Sequence, residues 1–388
     1  MRAALLLLAS FSLSFAAPQY SSELIFPLEK WHNHSSSIVE LPNGDLLVCW
    51  FHGSGERTAD DVLIRAARWN HSTSKWTEPF TLADTPGFPE TNPVLWLDSR
   101  QRLFFFWPLI IAHKWETALM KYRISTDYQQ PTGPPKWEHQ DNIVLIPKNM
   151  VERSKEFAAK YAEPSGALPE RAQRLIEHAG DEYYSRMGWF TRTHPLQLPS
   201  GRILLPMYSD GFSFGIMGIS DDGGYNWTGS EPIVGAGGIQ PSVVRKNDGT
   251  LVAYLRDNGP PPKRALMSTS RDEGVSWTPA QDTEIPNPGT SLEVIRLRNG
   301  HWIMLYNDIE SKRYSLVAAI SDDEGKTWKW KRHLDGNPQT PSTNEYHYPS
   351  VIQAKDAAIH VTYSYFTAEG KAIKHARFDE SWVMAGEK

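Results

Sequence analysis

An all-β chain, folded as a six-bladed β-propeller of four-stranded antiparallel blades, is what three features of the sequence predict. Apolar hairpins with period-two alternation occur six times, and an eight-residue turn of form S-x-D-x-G-x-x-W occurs in three clean copies. The copies stand about fifty residues apart, the spacing of propeller blades. A helix-forming stretch interrupts the repeat once, between the second and third units.

Residues 290–328, TSLEVIRLRNGHWIMLYNDIESKRYSLVAAISDDEGKTW, show the unit most clearly. An apolar strand over 291–297 meets a turn on Asn299-Gly300, a second strand covers 302–306, and a third covers 314–320. The eight-residue turn 321–328 follows, and a fourth strand is expected from Trp330. β-Branched and aromatic content, alternation and Gly-centred turns specify antiparallel sheet. Such a sheet cannot bury its own two faces, so the unit must repeat, and radial packing leaves only short, protected edges. The first hairpin recurs from His34, Asn92, His194, Gln240 and Tyr348, and the turn recurs at 220–227 and 270–277.

In chain order, Arg2 and the apolar run 3–15 precede a small-residue site at Ser14-x-Ala16. A run too short to span a bilayer, with that flank, predicts a secretory signal over 1–16 and a secreted or periplasmic protein with no membrane span after its removal. Residues 17–388 are then one propeller. A strand over 22–28 has no hairpin partner, and the last blade lacks a fourth strand, so the first is expected to complete the last and close the ring. Blade one is expected over about 33–80 and blade two over about 91–137. Residues 149–187 form the helical insertion, its second segment opening on Pro169. An insertion on a rigid scaffold is expected to act as a lid or specificity wall. Strands resume near Thr193.

Composition narrows the partners. The chain carries 40 Lys and Arg against 45 Asp and Glu, net −5, with no basic run, which argues against nucleic acid. Its one cysteine, Cys49, lies inside a strand, so no disulfide framework exists and core packing is expected. Asn33, Asn70 and Asn226 stand in N-x-S/T sequons. His32 and His34 flank Asn33, but no metal-ligand spacing accompanies them, and neither metal nor cofactor is expected.

Strand polarity sorts the polar residues. With first strands starting at the top, the S-x-D-x-G-x-x-W turns fall at the bottom, where Ser and Asp bond the turn's backbone, Gly takes positive φ and Trp packs between sheets. The top collects the starts of first strands, among them His34, Asn92, His194, Gln240, Glu293, Glu345 and Tyr348. It also collects the loops after second strands, with Glu56, Arg57, Asp60, Asp61, Asp210, Arg256 and Arg313. Ionisable groups gathered at a propeller axis predict a polar substrate site.

Six blades and the turns SDDGGYNW, SRDEGVSW and SDDEGKTW resemble the sialidase (neuraminidase) superfamily, in which those turns are called Asp boxes. The resemblance implies three arginines clamping a substrate carboxylate, a Tyr nucleophile with a Glu partner, and an Asp acid/base. Arg256, seven residues after Gly249, matches the second arginine, and Arg313 the third. Tyr348 matches the nucleophile, and Asp60 the acid/base with Asp61 as its neighbouring option. Two positions depart. His34 stands where the first arginine belongs, and Gln240 where the glutamate belongs, for which Glu293 or Glu345 are candidate substitutes. Arg57, Asn92 and His194 are expected to join the substrate contacts. The implied activity is exo-glycosidic release of an acidic sugar from a glycan terminus. Two alternatives stand beside it: a uronate-specific polysaccharide lyase using His34, His194 and Tyr348, and a glycan-binding propeller without catalysis, suggested by Gln240.

Overall fold

The computed structural model describes residues 20–387 apart from 165 and 236; the expected signal segment 1–16 lies outside the described residues. The alternating apolar runs form six antiparallel sheets in a ring. Blade 1 is built from His32–Glu40, Leu46–Gly53 and Leu63–Asn70, with Lys75–Trp76 and Phe80–Ala83 sharing its outer edge. Blade 2 runs Val94–Leu97, Leu103–Ile110, Ala118–Ser125, His139–Ile143. In blade 3, Phe190–Thr191 and Leu196–Gln197 pair in turn with Ile203–Ser209, followed by Phe214–Ser220 and Thr228–Gly229. Blade 4 is Gly238–Arg245, Leu251–Asp257, Arg264–Ser270, Gln281–Pro286, and blade 5 is Glu293–Arg296, Trp302–Tyr306, Leu316–Ser321, Trp330–Asp335.

Blade 6 takes three strands from the C-terminal part, Glu345–Gln353, Ile359–Phe366 and Lys371–Phe378, and its outermost from Tyr20–Leu24. Tyr20 lies opposite Phe378 in register, and its ring stacks on Trp382 at 4.5 Å. The ring therefore closes as expected, with the strand displaced toward the N-terminus relative to 22–28. Ile25 N still donates to Ile373 O, after which Pro27, having no N–H, interrupts the ladder.

The core lies between the blades, where apolar faces meet. Trp50, Phe104, Phe105, Trp107 and Trp302 are fully buried, each such side chain contributing roughly 1.5–3 kcal/mol or more from apolar burial. Cys49 is buried and free, its thiol pKa pushed up by burial, which fits packing rather than chemistry. The eight-residue turns clamp the blade bottoms. Ser220 Oγ accepts from Gly224 N at 2.8 Å and donates to Asp222, whose Oδ1 accepts from the backbone of Tyr225 and Asn226. Gly224 has φ 93°, and a Cβ there would sit 2.6 Å from the Phe104 ring, so both conformation and space demand glycine.

The insertion forms three helices, α1 (Met150–Ala159), α2 (Glu170–Gly180) and α3 (Glu182–Arg186). It is pinned to the flanks of blades 3 and 4 by Asn149 Nδ2, which donates to Glu231 at 2.6 Å, and by Arg153, which donates to Trp277 O in the blade 4 turn at 3.1 Å. Farther along α1, Phe157 meets Phe214 edge-on at 5.5 Å, at the start of a third strand, so the helix reaches the top rim. No helix of the described residues is long and apolar enough to cross a membrane.

Candidate active site

Sequence alone leaves open how strand residues reach the axis; β-bulges provide the answer. The first strands of blades 1, 4 and 6 shift register between His34 and Ser37, Ile239 and Ser242, and His347 and Ser350. At these shifts Ser35, Gln240 and Tyr348 adopt φ of 57°, 52° and 50°, and Asn92 in blade 2 adopts 42°. Such left-handed non-glycine residues cost about 1–3 kcal/mol each, and a bulge re-aims the side chain. Asn92, Gln240 and Tyr348 consequently line one cavity of about 250 Å³ at the mouth of the ring.

Two tyrosines and two amides make its floor. Tyr348 Oη accepts from Arg256 Nη1 at 2.7 Å and from Gln240 Nε2 at 3.2 Å. The same Gln240 nitrogen donates to Tyr208 Oη at 3.1 Å, and Asn92 Nδ2 donates to Tyr208 at 2.9 Å. Burial, then Asp210 and Tyr348, push the Tyr208 pKa well above its usual value, so it stays a neutral phenol. Beneath the floor Arg192 is fully buried, its guanidinium 5.0 Å from the Tyr348 ring and bonded to the carbonyls of Tyr348 and Pro349. That cation braces the left-handed backbone of Tyr348 from below.

Three further guanidinium groups, of Arg57, Arg256 and Arg313, face the cavity. Arg57 lies over the Trp115 ring at 4.9 Å. Arg313 donates to Gly289 O at 3.0 Å and to His347 Nδ1 at 2.7 Å, the latter imidazole held neutral by burial, which pushes its pKa down to about 4. His34 packs on the Tyr348 ring at 4.4 Å with Nδ1 2.8 Å from Ser364 Oγ. Burial, followed by His347, His32 and two arginines, holds the His34 pKa well below 6.5. The departure from arginine at this position therefore brings no charge.

Two carboxyl groups share the cavity, and their surroundings separate them. Glu56 is pushed up by burial, but the bond to His32 at 3.1 Å and the nearby Arg57 and Arg313 outweigh this and hold it below the usual range. Burial raises Asp210, and Arg256 and Arg57 offset only part of the rise. One carboxylate kept ionised beside one carboxylic acid kept protonated to higher pH is the division of labour acid/base catalysis uses.

The structure brings together seven of the ten residues singled out from sequence: His34, Arg57, Asn92, Gln240, Arg256, Arg313 and Tyr348. It does not bring Asp60 there. Asp60 is exposed and bonded to His113 outside the cavity, and Asp61 is tied to Ser54 N and Oγ within its own loop, so Glu56 is the acid of this loop that lines the cavity. His194 and Glu293 are also elsewhere, bonded to each other at 2.9 Å. His194 Nε2 lies 2.9 Å from Ile38 O, and Glu293 Oε2 accepts from Val351 N at 2.8 Å. This pair cross-links inner strands, and Glu293 is committed to that task rather than to Tyr348. Glu345, the other candidate partner, lies 3.3 Å from His347 Nε2 and outside the lining. Tyr208 sits within a second strand, where sorting by loops overlooks it. Asp210 and Glu56 shared the loop signal of Arg57, without a spacing that marks them out.

A six-bladed Asp-box propeller with a tyrosine and arginines at its mouth defines a class, and comparison with known proteins agrees. The BNR repeat-like domain model matches residues 44–154 and 172–361. The chain belongs to that family, as a divergent member of the sialidase superfamily. It is 26% identical over 199 residues to the anhydrosialidase of Macrobdella decora, a match covering 46% of this chain and 25% of that protein. Among solved structures it is similar to a protein of unknown function from Dyadobacter fermentans DSM 18053, with TM-score 0.68, 17% identity, and 92% and 97% of the two chains covered. It is likewise similar to the leech intramolecular trans-sialidase complexed with 2,7-anhydro-Neu5Ac, with TM-score 0.68, 15% identity, and 94% and 71% covered. These structural likenesses support the shared fold.

Proposed function

We propose that the protein is an exported exo-glycosidase of sialidase type that releases a terminal acidic sugar from a glycan, with Tyr348 as nucleophile. The observation that carries this reading is the Tyr348 hydroxyl, held between Arg256 and Gln240 in a cavity faced by three guanidinium groups. Arginines recognise a sugar carboxylate through charge-assisted bonds. A phenol can approach an anionic sugar that a carboxylate nucleophile would repel, the reason sialidases depart from the two-carboxylate scheme.

Gln240 cannot accept the Tyr348 proton, because its amide nitrogen donates to both phenols. It instead fixes the nucleophile's position, while Arg256 favours negative charge on the same oxygen. With both bonds arriving at Tyr348 Oη, its own proton is left for a group in the cavity, and Glu56 is the ionised carboxylate there. Asp210 protonates the leaving oxygen as Tyr348 bonds to the anomeric carbon, a step worth roughly 10²–10⁴-fold. Water, or a hydroxyl of the sugar itself, then displaces Tyr348 and gives its proton to the Asp210 carboxylate, while the departing Tyr348 oxygen takes its own proton back from Glu56. The relatives named as anhydrosialidase and intramolecular trans-sialidase make the second outcome worth measuring.

The neutral His34 against Tyr348, beside Arg256 and Arg313, favours a second reading, elimination on a uronate. There the arginines would neutralise the carboxylate, the neutral imidazole would take the C5 proton, and the Tyr348 phenol would give its proton to the leaving oxygen as the double bond forms. Incubation with sialylated and uronate-capped glycans, read by product mass and ultraviolet absorbance, decides. Hydrolysis adds water, intramolecular transfer gives an anhydro sugar without absorbance, and elimination gives an absorbing unsaturated sugar. Saturable binding with no product would leave a glycan-binding module in place of the enzyme.

A further inference from the structure

A second cavity, of about 610 Å³, opens between the helical insertion and the top loops of blades 3 and 4. Phe157 and Tyr161 with α1, and Ala172 and Leu175 from α2, form one wall; Phe212, Phe214 and Pro260 form the other. The polar side chains of the described lining are Arg171, Arg174, His178, Ser213 and Asn258, and the remainder is aromatic, aliphatic or glycine. Arg174 is paired with Glu170, and His178 is stacked on Tyr184 at 3.8 Å. A cavity of this size and character suits an apolar ligand.

Its position relates it to the sugar cavity. The turn after Ile203–Ser209 gives Asp210 to the sugar cavity and Gly211 through Phe214 to the larger one. It is a tight turn, with Ser213 at φ 55° and Ser213 N donating to Ser209 O at 2.9 Å. Leu251–Asp257 and its following loop divide likewise, giving Arg256 to one side and Asn258, Gly259 and Pro260 to the other. The two cavities thus flank the same two loops, and Asp210 stands at the boundary. An acid that protonates the leaving oxygen must sit on the leaving-group side of the scissile bond, so the atoms beyond that oxygen are led toward Gly211 and Phe212.

We propose that the larger cavity is a leaving-group site for an apolar aglycone, alkyl or aromatic, and that the helical insertion sets this preference. The inference rests on the glycosidase reading. A second observation supports it: the family match stops at 154 and resumes at 172. Phe157, Tyr161 and Pro169, which line the cavity, thus come from outside the shared family pattern. A further sugar is the poorer occupant, because most of the facing side chains are aromatic or aliphatic and every hydroxyl buried against them needs a paired donor or acceptor.

The test compares methyl and octyl glycosides of the acidic sugar that the protein cleaves, whose leaving alcohols have similar acidity. The native protein should favour the octyl glycoside by about tenfold or more in kcat/KM, chiefly through KM. Ala172→Phe, which fills the cavity, should abolish the preference and leave the methyl glycoside's rate unchanged. Tyr161→Ala, at the exposed rim, should weaken the preference without touching the core. Equal rates in the native protein, or a preference that survives Ala172→Phe, overturn the assignment. If neither glycoside is cleaved, the glycosidase reading fails, and calorimetric titration judges the cavity separately. Tighter binding of the octyl than the methyl glycoside, lost in Ala172→Phe, keeps it as an apolar ligand site; equal or absent binding removes it.

Discussion

Gln240 changes what a tyrosine nucleophile can ask of its neighbour. Where a glutamate would take the phenol proton, the amide donates to Tyr348 and Tyr208 together, and the cationic Arg256 bonds the same oxygen. On the proposed reading Gln240 and Arg256 supply positioning and charge, and the proton passes to Glu56 instead. Tyr348→Phe should reduce turnover by more than about 10³-fold while glycan binding persists, as removal of a covalent nucleophile does; undiminished turnover would dismiss the role. Asp210→Asn should cost about 10²–10⁴-fold on alkyl glycosides and much less on aryl glycosides that leave without protonation, whereas Asp60→Asn should stay near the native rate. Because burial raises the Asp210 pKa, kcat/KM should fall with rising pH at a point above the usual carboxylate range. That alkaline limb should vanish in Asp210→Asn, and its persistence would identify a different acid.

At this scale the sequence was readable where strand polarity alone decides a side chain's height. Gln240 and Tyr348 lie near the starts of first strands, and Arg256 near the end of a second, so their place at the mouth follows from topology. The loop 54–61 is different, since it offers three carboxylates within a few residues. Which of them faces inward depends on partners that spacing does not reveal: Ser54 holds Asp61, His113 holds Asp60, and Glu56 remains. His194 and Glu293 are at the anticipated height, but they claim each other.

Among the elements, the eight-residue turns and the closing strand carry separable parts of the stability. Asp222 is raised by burial but held down to about 2 by bonds from Asn226, Ser220 and Tyr225, and Asp323 is held at about 2 first by Thr327. A folded pKa below the unfolded value means stability that is present above about 4 and lost as pH falls toward 2. Asp222 is exposed and Asp323 half-exposed, so solvent screening keeps the effect modest. Asp222→Asn combined with Asp323→Asn should flatten the fall in Tm over that acid range; an unaltered slope would show that other carboxylates govern it. Deleting Tyr20–Leu24 bares the edge of Lys371–Phe378 and removes the Tyr20–Trp382 stack, so Tm should drop by roughly 5 °C or more. Hairpins and turns were legible because alternation and the Ser–Asp–Gly–Trp spacing are local. The cavity behind α1 and α2 was not, because it arises from how helices of ordinary amphipathic pattern settle on blade 3.

For the whole molecule, an acidic chain of net charge −5 presents a mouth with Arg57, Arg256 and Arg313. Arg256 comes from a second strand and Arg57 and Arg313 from loops, while interior contacts such as His194 with Glu293, and those of the buried Arg192, cross-link the inner part of the ring. A neutral His34 lowers the positive charge without emptying the position. On the proposed reading the mouth still attracts an anion, with three guanidinium groups of which one, Arg57, does not stand at a matched position. The most direct measurement is rapid quenching of the protein during turnover of an acidic-sugar glycoside, followed by peptide mass mapping. A glycosyl adduct on the peptide bearing Tyr348, absent from Tyr348→Phe, is the expected result; product formed at full rate with no adduct there would contradict Tyr348 as the nucleophile.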